Sequence, residues 1–219
     1  MILLFGGSFD PVHRGHVETA RAAQRVVAAS RLVWLPTSRS PLKASGGATA
    51  GQREAMLKLV LAAQGDPTWS LDDTELRAPP PAYTMDTLRR WRAAAGAGAP
   101  LAFLMGRDSF ESLERWRDWQ ALTDVAHLVV ASRPGHDQAL PASLASWLKN
   151  RQISSPELLQ SRPFGHVLML TTPPWPVSST DLRSALADRR PAGDWLEPAV
   201  RDYIDQHGLY RSPENTASS

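Results

Sequence analysis

Cysteine is absent from the 219 residues. That removes thiol nucleophiles, disulfides and Cys-ligated zinc or iron–sulfur sites together. An excess of one charge is missing too. The chain carries 24 Lys and Arg against 22 Asp and Glu, a formal net charge of +2, and no run of like charges forms an arm for nucleic acid. Long hydrophobic runs are lacking as well: none approaches the roughly 18 residues of a membrane span. Met1–Phe5 is apolar but has neither the basic flank nor the length of a signal peptide. These absences lead us to expect a soluble protein of a reducing compartment, the cytoplasm, with neither nucleic acid nor membrane as partner. The length fits one large α/β domain that buries its core without metals or crosslinks.

What is present is an alternation of short apolar runs with longer segments of helical period, which predicts βαβ units and a parallel sheet. Strands are expected at Met1–Phe5, Arg31–Pro36, Trp69–Leu71, Leu101–Met105, His127–Ala131 and Val167–Leu170. Helices are expected at Gly15–Ala29, Gln52–Ala63, Thr84–Ala95, from near Ser178, and at Pro198–Gln206. Thr37–Gly51 reads as a loop rich in Ser, Gly and Ala, and Pro141–Arg162 as a peripheral helix and loop. Residues 211–219 read as a disordered tail after a domain spanning 1–210. The fold class that follows is a single Rossmann-like, doubly wound α/β domain with a mainly parallel sheet. Such sheets bind ligands beyond the carboxyl ends of their strands, at the switch point, so motifs placed there are the ones to read for chemistry.

The first such motif follows the first strand: Gly6-Gly7-Ser8-Phe9-Asp10-Pro11-Val12-His13-Arg14-Gly15-His16. Ser8 and Pro11 stand where a dinucleotide fingerprint needs glycine, and no Gly-Lys-Ser/Thr ending makes it a P-loop. A glycine pair exposes backbone, and His13 and His16, at i and i+3, share one face of a helix start. Both imidazoles then point at an anion over the helix N-terminus, where free N–H groups already favour phosphate. On spacing alone, an ordinary turn followed by a surface histidine pair is the competing reading. A metal site lacks a third ligand at helical spacing.

The second motif is Val177-Ser178-Ser179-Thr180-Asp181-Leu182-Arg183, after the last strand and a proline-rich segment. Ser178 or Ser179 suits an N-cap and Asp181 a first turn, so capping accounts for most of it. Arg183 does not fit that account, because a cation near a helix N-terminus opposes the dipole. A bound anion would remove the conflict, and hydroxyls, N–H groups and a guanidinium together make a triphosphate cradle.

These strings resemble a known family. GGSFDPVHRGH matches the GGxFDPxHxGH signature of the HxGH nucleotidyltransferases at each defined position, and VSSTDLR resembles their ISSTxIR, with Val177 and Leu182 as mild substitutions. Tyr83-Thr84-Met85-Asp86-Thr87-Leu88 and Leu104-Met105-Gly106-Arg107-Asp108-Ser109-Phe110, followed by Trp116, resemble two blocks of the nicotinate-mononucleotide adenylyltransferases. The resemblance covers nearly the whole chain except the tail and residues 133–165. It implies adenylyl transfer from ATP to nicotinate mononucleotide, with Mg²⁺ carried on the ATP and no metal ligands on the protein. It implies ATP contacts from Gly6, Gly7, Ser8, Phe9, His13, His16, Asp108, Ser178, Ser179, Thr180 and Arg183, with His13, His16 and Arg183 catalytic. Lys43, Tyr83, Thr84 and Trp116 would meet the mononucleotide, Thr84 as the N-cap of a helix beginning near Met85. Asp108 also suits a plain N-cap, and Trp116 a core position. The chain departs from the family at Leu42, where a histidine is usual before Lys43, at Pro80-Pro81-Ala82, and at Arg117. A phosphopantetheine adenylyltransferase and a catalytically silent nucleotide-binding module are the rival readings. The Tyr83–Leu88 and Gly106–Trp116 blocks weigh against the first, and intact His13, His16 and Arg183 against the second.

Overall fold

Ile2–Gly7 (β1) buries Leu3, Leu4 and Phe5 together, a continuous apolar run of the kind found where both faces of a sheet are covered. The computed structural model describes residues 1–37, 47–79, 81–132, 139–173 and 175–211. After β1 come α1 (Arg14–Val26), β2 (Arg31–Pro36), α2 (Ala50–Gln64), β3 (Trp69–Leu71), a short α3 (Thr74–Arg77) and α4 (Thr84–Ala95). The second half runs β4 (Leu101–Gly106), α5 (Arg107–Glu111), β5 (His127–Ser132), α6 (Ala142–Lys149), β6 (Gln152–Ile153), β7 (Val167–Thr171), α7 (Ser179–Ala187) and α8 (Pro198–Gln206). The seven strands lie in the order β3-β2-β1-β4-β5-β7-β6, and each pairing is parallel.

Successive strand residues point to opposite faces, which divides the core in two. Leu3, Phe5, Leu32, Trp34, Ala102 and Leu104 face α1, α2, α7 and α8. Leu4, Val33, Leu35, Leu101, Phe103 and Met105 face α4, α5 and α6. The chain winds outward from β1 through β2 to β3, then returns to β4 on β1's other side. The switch point therefore lies between the ends of β1 and β4. Among the described residues, no helix is long and apolar enough to cross a membrane.

The β2, β3, α4 and α8 spans agree with expectation, and differences elsewhere have local causes. β1 continues to Gly7 because Gly6 and Gly7 pair with Leu35 and Pro36. α1 stops at Val26, with Ala28 at φ 48° turning the chain. Between 141 and 162 the structure adds β6, a two-residue strand beside β7 and too short to leave a periodicity. α4 begins at Thr84, so its N-cap is Tyr83 rather than Thr84, with extended backbone and no side-chain cap bond. The expected loop at 37–51 gives way to α2 from Ala50, capped by Thr49, whose hydroxyl accepts the Gln52 N–H. Lys43, Leu42 and the expected tail beyond Arg211 lie outside the described residues.

Candidate active site

The loop from Gly6 to His13 is shaped by aromatic rings. A Cβ on Gly6 would lie 2.4 Å from the Phe103 ring, and one on Gly7 would lie 2.8 Å from the Phe9 ring. Both glycines are thus required by close packing as well as by backbone exposure. Phe9 itself holds φ at 47°, a strained conformation for a bulky residue. Its ring is fully buried, edge-on to His16 at 5.1 Å and to Phe5 at 5.2 Å. That packing backs His16 with rigid hydrocarbon.

His13 is the N-cap of α1 in extended conformation and His16 is its third helical residue. Their rings lie 3.7 Å apart at 32°, so the spacing does bring both imidazoles to one place. His16 Nδ1 accepts the His13 backbone N–H at 3.2 Å. In the neutral ring the proton therefore sits on Nε2, which makes that edge a donor. Gly15 completes the fit, since a Cβ there would press on the His13 ring at 3.0 Å and on Val177 at 3.1 Å.

Four side chains hold the loop by its carbonyls and its one carboxylate. Arg53, buried on α2, donates from one terminal nitrogen to the Ser8 carbonyl at 2.7 Å and to the Thr37 carbonyl at 2.8 Å. Arg183 donates to the Asp10 carbonyl at 2.7 Å and to the Thr180 hydroxyl at 3.2 Å. Ser179 donates to the Pro11 carbonyl at 3.0 Å, and Tyr210 to the Asp10 carboxylate at 2.6 Å. Ser178 caps α7 as expected, its hydroxyl accepting the Asp181 N–H at 3.1 Å. The conflict between Arg183 and the α7 dipole is thus eased partly by the chain's own carbonyl.

One cavity of about 640 Å³ opens beyond the strand ends. Gly6, Gly7, Ser8, Phe9, His13 and His16 form one wall and Ser178, Ser179, Thr180 and Arg183 another, with Asp108 on the β4 side. Asp108 is not an N-cap, since Gly106 holds that position at the start of α5. The Asp108 carboxylate instead folds over Gly106, where a Cβ would meet its oxygen at 2.6 Å. Arg183 and Arg107 line the cavity with Asp108 as the sole carboxylate of the described lining, while Arg107 also pairs with Glu111 at 2.9 Å.

The cytidylyltransferase-like family model matches residues 4–185. A protein of Yersinia pestis (strain Pestoides F) named "Probable nicotinate-nucleotide adenylyltransferase" is 40% identical, over 95% of this chain and 94% of its own. One of the same name from Pectobacterium atrosepticum is 38% identical, over 94% and 97%. The chain belongs to the nicotinate-nucleotide adenylyltransferase family. The fold agrees: a Plasmodium falciparum nicotinic acid mononucleotide adenylyltransferase solved with NaAD superposes at TM-score 0.71, covering 95% of this chain and 96% of that one at 18% identity.

Of the other family blocks, Gly106, Arg107, Asp108 and Ser109 line the cavity, whereas Tyr83, Thr84 and Trp116 lie beside it rather than in its wall. Trp116 is half-buried, edge-on to Phe103 at 6.4 Å, and Phe103 is the ring packed on Gly6. Tyr83 lies at the start of α4 with the Arg117 guanidinium 4.6 Å above its ring, and Arg117 also pairs with Asp86 at 3.5 Å. Tyr83, Thr84 and Trp116 thus cluster on the α4 face, next to the switch point. Several lining residues were given no role in the sequence reading: Thr19, Arg107, Ser109, Ser132, Thr172 and Trp175. Thr19 stands one turn beyond His16, and Ser132 and Thr172 at the carboxyl ends of β5 and β7, so helix period and strand-end position were the available signals. Trp175 had none, for it sits in an irregular segment and meets Trp195 edge-on at 6.3 Å.

Proposed function

We propose that this cavity joins ATP to nicotinate mononucleotide, giving nicotinate adenine dinucleotide and pyrophosphate, a step of NAD biosynthesis carried out in the cytoplasm. The observation that carries the reading is the close His13–His16 pair lining one cavity with Ser178–Thr180 and Arg183 at the switch point. A phosphate oxygen of the mononucleotide attacks the α-phosphorus in line, and the bond to pyrophosphate breaks. The protein supplies no nucleophile. Its part is positioning and stabilisation of charge on the transferring group.

In this reading His16 Nε2 donates to the α-phosphate, and His13, Arg183 and the hydroxyls of Ser178, Ser179 and Thr180 hold the triphosphate. Gly6, Gly7, Ser8 and Phe9 offer the backbone edge along which ATP lies, and Asp108 accepts from the ribose hydroxyls. Lys43, Tyr83, Thr84 and Trp116 are assigned to the mononucleotide. Mg²⁺ would travel with the triphosphate and offset charge as pyrophosphate departs. With Asp108 the one carboxylate in the described lining, phosphate and water oxygens would make up most of its shell.

The test is pyrophosphate release from ATP with nicotinate mononucleotide, with phosphopantetheine, or with neither. Release that needs nicotinate mononucleotide is expected. Release driven by phosphopantetheine, or none at all, would overturn the reading.

A further inference from the structure

The C-terminal segment reaches the loop that carries both histidines, and no motif in the sequence points to it. α8 packs on α2 through Val200 and Ile204. It ends where Gly208 turns at φ 58° and the Leu209 N–H returns to the Ile204 carbonyl at 3.0 Å. The next residue, Tyr210, also holds a left-handed backbone, at φ 63°. A bulky residue keeps that conformation only where its surroundings fix it. Here the side chain supplies the reason: half-buried against the core, it donates its hydroxyl to Asp10 Oδ1 at 2.6 Å.

Asp10 joins three parts of the chain. Its Oδ1 also accepts the Ala48 N–H at 3.0 Å, just ahead of α2. Gly47 lies so close that a Cβ would meet Oδ2 at 1.8 Å, so the carboxylate in this pose leaves no room for a side chain at 47. Its carbonyl is gripped by Arg183. Three residues further on, the chain reaches His13. Burial and the neighbouring carboxylate push the Tyr210 hydroxyl well above the usual tyrosine range, so it remains a donor at any working pH.

We propose that Tyr210 is a positioning residue for adenylyl transfer: by fixing the Asp10 carboxylate it sets the loop that presents His13 and His16. The effect belongs in the transition state, because the hydroxyl touches Asp10 and is absent from the cavity lining. A loop displaced by a fraction of an ångström still admits substrates but misaims the histidines.

This rests on the proposed reaction, and one set of assays separates the two. Wild-type enzyme is assayed with ATP and nicotinate mononucleotide beside Tyr210→Phe, Asp10→Asn, Asp10→Ala, and Tyr210→Phe combined with Asp10→Ala. Wild type without turnover would sink the reaction, not the positioning role. With wild type active, Tyr210→Phe should lower kcat roughly 10-fold or more, with the mononucleotide KM within a few-fold. Asp10→Asn keeps an acceptor at Oδ1 and should retain kcat within a few-fold, whereas Asp10→Ala should fall at least as far as Tyr210→Phe. The double variant should lose no more than Asp10→Ala alone. Wild-type kcat in Tyr210→Phe, whether or not its Tm drops, would overturn the proposal. So would additive losses in the double variant, or Asp10→Asn failing as badly as Asp10→Ala.

Discussion

His16 owes its setting to its neighbours in the loop. Phe9 backs its ring, Gly7 leaves room for Phe9, and the His13 N–H fixes which ring nitrogen keeps the proton. The proposed donor role for Nε2 makes a specific demand. His16→Ala should lower kcat by roughly 10²-fold or more while substrate KM values change little, because the contact strengthens as charge builds on the phosphoryl group. His16→Asn, which removes the ring but keeps a shorter donor, should recover only part of the loss. Steady-state kinetics on purified variants check both, and near-native kcat in His16→Ala would remove His16 from the mechanism. Arg183 has a double attachment, to Asp10 and Thr180 within the chain and, by the proposed reading, to the triphosphate. Arg183→Ala should therefore raise the ATP KM and also lower Tm slightly, since the loop loses a hydrogen bond. The dipole at α7 alone would predict a gain in stability instead, so thermal unfolding without ligand distinguishes the two effects.

At the scale of elements, the proposed reading has the start of α4 choose the base. Tyr83 takes the N-cap with no side-chain bond, so the first-turn N–H groups of Thr84 and Met85 have no acceptor within the helix. A nicotinate carboxylate there would gain charge-assisted hydrogen bonds and a favourable dipole. Arg117, poised over Tyr83, adds a cation close by. The amide of nicotinamide would face donors with its own NH₂. kcat/KM should favour nicotinate over nicotinamide mononucleotide by at least roughly 10²-fold. Trp116→Ala should harm both substrates alike, because stacking on a flat ring separates acid from amide poorly. Equal efficiency with the two mononucleotides would refute this account of the α4 end. The shift of the cap from Thr84 to Tyr83 leaves the argument standing, since it turns on which N–H groups lack partners.

The whole molecule carries a pH limit far from the cavity. His127 opens β5, fully buried, with Nδ1 accepting the His166 N–H at 3.1 Å and Nε2 bonded to the Arg162 carbonyl at 2.9 Å. Both bonds suit the neutral ring. Burial pulls its pKa down from 6.5 to about 4, against the Arg162 carbonyl bond and with help from the nearby His166, Arg92 and Arg162 charges. Between those values the unfolded chain binds a proton that the folded one refuses, so stability is complete above 6.5 and falls as pH drops toward 4. The gap limits the effect to about 3 kcal/mol. Urea unfolding across this window should show the decline, and His127→Gln should flatten it. A decline equally steep in the variant would assign it to other groups.

Composition and period were enough for the parallel sheet, because apolar strands covered on both faces differ plainly from amphipathic helices. The two motifs were legible for the same local reason: each follows a strand, and ligand chemistry in such sheets gathers at strand ends. The sequence could also suggest that His13 and His16 meet at a helix start, although His13 proves to be the extended N-cap and its N–H bond to His16 Nδ1 links the two. It could not show what holds them. Arg53 is separated from Ser8, Arg183 from Asp10 and Tyr210 from Asp10 by long stretches of chain, and only tertiary packing makes them neighbours. The close approach of Phe103 to Gly6 is likewise a matter of packing between strands, as is β6, two residues long and held by β7. Local sequence determined which groups are available, and tertiary structure decided how firmly they are aimed.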